Sequence, residues 1–318
     1  MNLNQLKALD ALEQTGSFAG AAGRLGLTQP AVSIQLRNLQ ARYGVKLFWR
    51  CGRQLEFSPL GKDLVLKARK ILGLVDDFQD TLASAGELRS GRLDIGLSCH
   101  YLVMDLLAVF MQRYPGLQIN AKIGDSANLV ADVIACRLDL AEVTGVDPDP
   151  RLVSLAYSDQ AIVIFVARRH PWSRRPTIDV AELNDQPMVA RHTTSMTRQI
   201  FQQRLRHRGI RPRIAMELDS WEAMKEAVAA GIGFGIALAD EFNHDPRLIG
   251  IRVADVDLSA GQYVVCLPEF ERLRPVRAFL ELAREIKAIR RKRSSEAMLP
   301  AGAHPVSDSR SLARAVAG

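Results

Sequence analysis

The chain predicts an all-α winged helix-turn-helix head, a long dimerisation helix, and an α/β domain built of two Rossmann-like lobes. Three observations predict this. Two short helical segments meet at a Gly26-Leu27 corner, a heptad-spaced apolar run follows Pro59, and strand and helix patterns alternate from residue 91 to residue 293. The expected boundaries are 1–60 for the head, 61–90 for the linker helix, 91–293 for the α/β domain and 294–318 for a disordered tail. Within the α/β domain the first lobe takes 91–161 and 267–293, and the second takes 162–266.

The head is predicted from its helix ends. Ser17 is a good N-cap, and Ala21, Ala22 and Leu25 give the next helix a small-residue packing face. Gly26 supplies the backbone freedom that ends that helix. Thr28 caps the following one, and Pro30 fits its first turn, where no amide donor is needed. Val32, Leu36 and Leu39 recur at helical spacing and are expected in the core. Gln29, Ser33 and Arg37 lie one turn apart on another stripe, with Gln35 beside them. A helix presenting hydroxyl, amide and cationic groups outward suits the DNA major groove.

Tyr43 to Phe48 is expected to return as a short strand. Trp49-Arg-Cys-Gly-Arg53 reads as a basic turn and Gln54 to Phe57 as a second strand, completing a wing. Arg50 and Arg53 would touch phosphates or an adjacent minor groove. Residues 1–62 carry eight Lys/Arg against three Asp/Glu, a net of +5 that suits a polyanionic partner. The expected DNA-binding residues are Ser17, Thr28, Gln29, Pro30, Ser33, Gln35, Arg37, Arg50 and Arg53.

Ser58-Pro59 opens a helix expected to reach about Ala85, about 40 Å at 1.5 Å per residue. Leu64, Ala68, Ile71, Val75, Phe78 and Leu82 alternate spacings of four and three, a seam that wants a partner helix. A homodimer would present two recognition helices to two half-sites of a pseudo-palindrome in double-stranded promoter DNA.

The α/β domain starts with Leu93, Ile95 and Leu97 alternating in a strand, then a helix from about Val103 to Arg113. A strand at Leu117–Ala121, a helix at Asn128–Arg137 and a strand at Leu138–Val143 follow, a βαβαβ order that implies a mostly parallel sheet. A second unit begins at Ile162–Val166. It continues through Met188–Ala190, a helix near Thr197–Arg208, Ile214–Leu218, a helix from Ser220 to Ala230, Gly235–Leu238 and Tyr263–Leu267. A last helix, Pro275 to about Arg290, is expected to pack back on the first unit.

Composition excludes several classes. A chain of 318 residues with 47% hydrophobic content supports two or three real cores. No apolar run approaches the roughly 20 residues that span a bilayer, and no signal peptide is visible, so neither membrane nor export is expected. Four scattered cysteines (Cys51, Cys99, Cys136, Cys266) form no paired framework, which fits a reducing cytoplasm. No phosphate loop, His-Glu-x-x-His helix or Gly-x-Ser-x-Gly elbow occurs, so neither enzyme activity, metal nor cofactor is expected. Gly231-Ile-Gly-Phe-Gly235 follows a helix and leads into a strand, the reverse of a dinucleotide loop, and reads as close packing. Two alternatives stay open: a redox signal through Cys99 or Cys136, and a solute-binding or enzymatic domain with an incidental helix-turn-helix.

Residues 1–90 resemble the DNA-binding region of LysR-type transcriptional regulators. The resemblance is carried by Leu6, Gly16-Ser17-Phe18, Ala21-Ala22, Leu25, Thr28 to Ser33, Gln35-Leu36, Leu39, Leu47-Phe48 and Arg50. The chain departs from the pattern at Ile34, often basic in the family, at Gln40, and at Ser58-Pro59-Leu60-Gly61. The resemblance implies a homodimer or homotetramer, RNA polymerase as a partner, and a type-2 periplasmic-binding-protein-like effector domain with its ligand between the lobes. Helix N-termini at such a cleft favour a small anionic effector. The expected contacts are Ser98, His100 and Tyr101 after the first strand, Ser126 in the Gly124–Ser126 loop, Thr193, Thr194, Ser195 and Arg198 in the Arg191–Arg198 loop, and Ser220. The effector half resembles the subgroup tied to aminoethylphosphonate breakdown, through His100 to Met104, Asp149 to Leu152, His170-Pro171-Trp172, Ser195 to Arg198 and Val265 to Leu267. That implies a phosphonate near Ser195, its amine received by Asp125, Glu142 or Asp219.

Overall fold

The computed structural model describes residues 1–51, 54–83, 91–145, 147–239, 241 and 245–296. They divide into two units, Met1–Gly91 with Ala135–Arg137, and Arg92–Ile134 with Leu138 onward.

Short polar residues start each head helix. Asn2 and Gln5 cap each other's backbone amides at 3.0 and 3.1 Å ahead of α1 (Leu3–Thr15). Ser17 accepts from the Gly20 amide to start α2 (Phe18–Leu25), and Thr28 from the Ala31 amide to start α3 (Gln29–Tyr43). Gly26, at φ +63°, takes the left-handed conformation that turns the corner between them. Leu9, Leu12, Ala21, Ala22, Val32, Leu36 and Leu39 meet in one core, as the spacing predicts. The wing is an antiparallel pair, β1 (Phe48–Cys51) and β2 (Gln54–Phe57), with Phe48 opposite Phe57. Residues 45–47, expected in that strand, are not strand; Gln40 accepts the Leu47 amide at 2.8 Å instead. Phe18, Phe48 and Phe57 stack in series at 5.8 and 5.7 Å and tie the wing to α2.

Helix α4 (Pro59–Ala83) starts against that wing. Ser58 Oγ donates to the carbonyls of Lys46 and Leu47 and accepts from the Gly61 amide at 2.9 Å. A Cβ on Gly61 would stand 2.0 Å from the Leu47 carbonyl oxygen, so the departure Ser-Pro-Leu-Gly is a close backbone approach. Gly61→Ala is therefore expected to destabilise the head by about 1–3 kcal/mol, read as a lowered midpoint in chemical denaturation; an unchanged midpoint would remove this account. Buried Arg69 fixes α4 to α1, donating to Asp10 and to Glu13 at 2.5 Å each.

The heptad seam divides in two. Leu64 and Ala68 do not face a partner helix: Leu64 packs on the head core and Ala68 is buried, because the first turns of α4 lie along α1. Ile71, Phe78 and Leu82 stand exposed, Phe78 at 63% and Leu82 at 69%, while Val75 is half-buried. The expected last turn, to Ala85, lies outside the described residues.

The second unit opens as βαβαβ: β3 (Gly91–Leu97), α5 (His100–Arg113), β4 (Leu117–Ile123), α6 (Ser126–Ile134) and β5 (Leu140–Gly145). Then come β6 (Val153–Ala167), β7 (Thr177–Asp179), β8 (Pro187–Arg191), α7 (Met196–Arg206), β9 (Arg213–Leu218) and α8 (Trp221–Ala229). β10 (Gly235–Leu238), β11 (Leu248–Ala254), β12 (Ser259–Cys266) and α9 (Arg274–Glu296) close the chain. β3 runs parallel to β5, and β8 to β9. The sheet is nevertheless not mostly parallel. The long strands β6 and β12 pair antiparallel with each other, β12 with β5, and β6 with β10 and β11.

β6 is the strand both lobes share: its residues 153–161 pair with β12, and 162–167 with β10 and β11. β12 belongs with the first lobe, since its residues 261–266 lie against β5, so the return crossing comes near residue 260 rather than 267. Alternation marks Tyr263–Leu267 as a strand but does not name its neighbour. Helix α9 packs on the first lobe as expected, with Phe279 edge-on to Phe110 at 5.2 Å and Glu285 paired with Arg113 at 3.0 Å. It runs through residues 294–296, which the sequence places in the tail; 297–318 lie outside the described residues. Among the described residues no helix is long and apolar enough to cross a membrane.

Candidate functional site

On the head, α3 carries its polar stripe outward. Gln29, Pro30 and Arg37 are exposed and Ser33 is half-buried, with Arg37 Nη2 donating to Ser33 Oγ at 3.4 Å. Ser17 and Thr28 are exposed, but their hydroxyls accept backbone amides, so both position the helices. Gln35 departs from the expectation of an outward contact: its Oε1 is buried without a partner and its carbonyl accepts from Gln5. The cause is its place between Val32 and Leu36 on α3, next to the core stripe. Arg50 lies on β1 with its side chain outside the described set, and Arg53 lies outside the described residues. Ile34 stands 53% exposed beside the stripe.

In the α/β unit the strand ends converge. Ser98 follows β3, and both its amide and that of Cys99 donate to one oxygen of Glu142, at 2.9 and 2.8 Å. The two amides just ahead of α5 thus meet the chain's own carboxylate. Glu142 is fully buried on β5, and burial pushes its carboxyl up to about 7 despite those donors; nearby Glu241 adds to the rise. Ser98 Oγ lies 3.3 Å from Thr144 Oγ1, which donates to buried Gln262 Oε1 at 3.0 Å. Gln262 Nε2 is buried without a partner. Ser126 is buried, its hydroxyl accepting the Thr144 amide, and Ser220 caps α8 through the Ala223 amide. Both hydroxyls therefore serve the backbone.

The two lobes touch across this cleft. Tyr101 donates to Glu222 at 3.4 Å, with the His100 ring stacked 4.2 Å behind it; burial pulls His100 below the usual imidazole range. Asp125, ahead of α6, accepts from Thr194 Oγ1 at 2.6 Å and faces Arg191 at 3.5 Å and His192 at 3.4 Å. Thr193 is exposed and its carbonyl accepts from Gln199.

Behind Arg191 the second lobe forms a narrow, partly open cavity lined by Arg191, Ser195, Thr197, Arg198, Trp221, Ile236 and Glu241. Ser195 is buried at the start of α7 with no side-chain cap bond. Arg198, only 6% exposed, donates to Glu217 at 2.8 Å and to the Arg191 carbonyl. Its Nε, like that of Arg191, is buried without an acceptor. Two orphaned guanidinium donors beside an uncapped helix start are what an oxyanion satisfies. Sequence reasoning missed Thr144, Gln262, Glu222 and Glu241. Glu142 and Thr144 did leave a signal, as polar residues inside the apolar run Leu138–Val143 and at its end. Cys99 is buried and Cys136 half-buried, and neither is disulfide-bonded. Among the described residues no group of three or more His, Cys, Asp and Glu could hold a metal ion.

Comparison with known proteins adds an independent line. A family model described as LysR substrate binding domain matches residues 86–288, and one described as bacterial regulatory helix-turn-helix protein, lysR family, matches residues 3–62. The transcriptional activator CmpR of Synechocystis is 30% identical over 237 residues, 74% of this chain and 78% of its own. Full-length OxyR from Pseudomonas aeruginosa superposes with a TM-score of 0.72 at 21% identity, covering 89% of this chain and 95% of that one. The CcmR regulatory domain of Synechocystis, solved in complex with 2-PG, superposes at 0.58 and 22% identity over 67% of this chain and 100% of that one. These two likenesses show the shared fold.

Proposed function

The chain belongs to the LysR family of bacterial regulators, and on that premise we propose that an oxyanion-bearing effector, seated against the Arg191–Arg198 loop, governs its grip on promoter DNA. It is a DNA-binding transcriptional regulator with a small-molecule effector domain. The observation that carries the finer reading is the pair of buried guanidinium nitrogens without acceptors on Arg191 and Arg198, beside the uncapped start of α7.

In this reading two chains pair through the exposed outer half of α4, where Ile71, Phe78 and Leu82 lack cover in the single chain, and dimers assemble into tetramers in the cytoplasm. Paired heads then span two half-sites. The effector acts by binding one lobe arrangement more tightly than the other, since equal affinity shifts nothing. The contacts Asp125–Arg191 and Tyr101–Glu222 are the bonds such a shift would make or break. RNA polymerase recruitment is the downstream readout.

Two effector chemistries merit testing: 2-aminoethylphosphonate, from the resemblance of the effector half, and 2-PG, the ligand of the CcmR regulatory domain. Calorimetric titration of the full chain with these and with inorganic phosphate is expected to give heat for at least one. Arg191→Ala should weaken that binding about tenfold, the scale of one charged hydrogen bond. Absence of heat with all three, or an Arg191→Ala chain binding as wild type does, would remove the reading.

A further inference from the structure

The cavity behind Arg191 is lined by groups of opposite character. Arg191, Arg198, Ser195 and Thr197 gather about the start of α7, and Glu241, Trp221 and Ile236 line the same cavity. The cationic group is set up for an acceptor. Arg198 is nine-tenths buried, anchored through Nη1 to Glu217, and its Nε has no partner, so the guanidinium is held in place with one donor unused.

Glu241 poses the reverse problem. The one hydrogen bond its carboxylate makes among the described residues is a long one from the Leu238 amide, 3.4 Å. No described cation lies within ion-pairing distance of it, and Arg191 is already turned toward Asp125 at 3.5 Å. Arg191 and Lys225 are the cations near enough to be felt, and Glu222 and Glu142 are the facing carboxylates. A simple anion would satisfy the arginines while leaving half-buried Glu241 with a second negative charge beside it. A carboxylate so placed wants a donor or a cation.

We infer that this cavity selects a small zwitterion, an oxyanion held by Arg191, Arg198 and the start of α7, and an ammonium group held by Glu241. This rests on the reading that the Arg191–Arg198 loop seats the effector, and it narrows that reading from anions in general to amine-bearing ones. Trp221 and Ile236 line the same cavity, so an apolar spacer between the two charged ends is expected.

Matched probe pairs that differ only in the amine provide the test: 2-aminoethylphosphonate against ethylphosphonate, and β-alanine against propionate, titrated into the full chain at one pH. The amine-bearing member of at least one pair is expected to bind about tenfold tighter or more. Glu241→Gln, melting with the wild-type chain, should bring that ratio to about one while leaving the amine-free partner's affinity unchanged, and Arg191→Ala should weaken both members. Equal binding within each pair overturns the inference and leaves the anion reading standing. A preference for the amine that persists in Glu241→Gln overturns the assignment of Glu241. Binding of none of the four overturns the inference, and if phosphate and 2-PG are silent as well, the anion reading falls with it. The comparison within wild type decides the matter even if a variant fails to fold.

Discussion

Replacing Gln29, Ser33 and Arg37 together by alanine is expected to lower affinity for the DNA flanking the chain's own gene by 100-fold or more, with the melting temperature of the head unchanged. Each well-made base-edge contact is worth about 1–3 kcal/mol, and the three residues occupy one stripe of α3 at successive turns. Their side chains contribute little to the fold. Gln29 and Arg37 are exposed, and Ser33 makes one long contact, to Arg37 itself. The core of α3 is a different stripe, Val32, Leu36 and Leu39, all buried. Surface exchanges of this kind change stability by about 0.5 kcal/mol or less, and alanine is the best helix former. Fluorescence anisotropy with a labelled duplex, paired with a thermal melt, separates the two effects. Wild-type affinity in the triple variant would mean that α3 is not the reading element, and lost affinity with a collapsed melt would mean that the stripe is structural.

That prediction draws on the most legible part of the chain. The head is written in local signals: Ser17 and Thr28 as caps, Gly26 in the left-handed conformation, and an apolar stripe with helical spacing. Each acts over three or four residues and needs no knowledge of the rest of the molecule. Gln35 is the exception, and an instructive one. It lies between two core positions, so its outward aim depended on a few degrees of helix rotation that spacing does not resolve.

The α/β unit was legible in the order of its elements and illegible in their pairing. Val153–Ala161 carries half-buried polar residues and escaped notice as strand, yet it is the half of β6 that joins the lobes through β12. β7 and β11 pair with each other, 75 residues apart in sequence at Thr177 and Arg252; β7 is only three residues long, and the apolar run of β11 does not name its neighbour. The candidate site follows the same division. Ser195 and Arg198 could be found because they lie in one hydroxyl-rich loop. Glu142, Thr144 and Gln262 come together only because β12 lies against β5, and Glu241 joins the cavity only because β10 pairs with β6.

Glu142→Gln is expected to stabilise the α/β unit above neutral pH by about 3 kcal/mol while changing little below pH 4.5. The carboxyl is fully buried, and desolvation outweighs the amides of Ser98 and Cys99 and the Ser98 hydroxyl, lifting it from 4.5 to about 7. The unfolded chain releases this proton near pH 4.5 and the folded chain keeps it to about pH 7. Between those limits the unfolded state binds fewer protons, so stability falls as pH rises through that window. At about 1.4 kcal/mol for each pKa step the whole loss comes to about 3 kcal/mol, complete by pH 8. Glutamine keeps what the carboxylate supplied, because a single oxygen of Glu142 accepts both the Ser98 and the Cys99 amides, and one carbonyl can do the same. It removes only the charge, whose facing neighbour Glu241 has the same sign. Glu142→Leu is the contrasting variant: it leaves two amides without an acceptor, at about 1–3 kcal/mol each, and should destabilise at every pH. Denaturant melts from pH 4.5 to 8, followed by Trp172 and Trp221 in a Trp49→Phe background, should show a falling midpoint for the wild-type chain and a flat one for Glu142→Gln. A flat wild-type profile would mean that Glu142 ionises freely in the folded chain, and that its burial among Ser98, Cys99 and Glu241 is not the environment of the working protein.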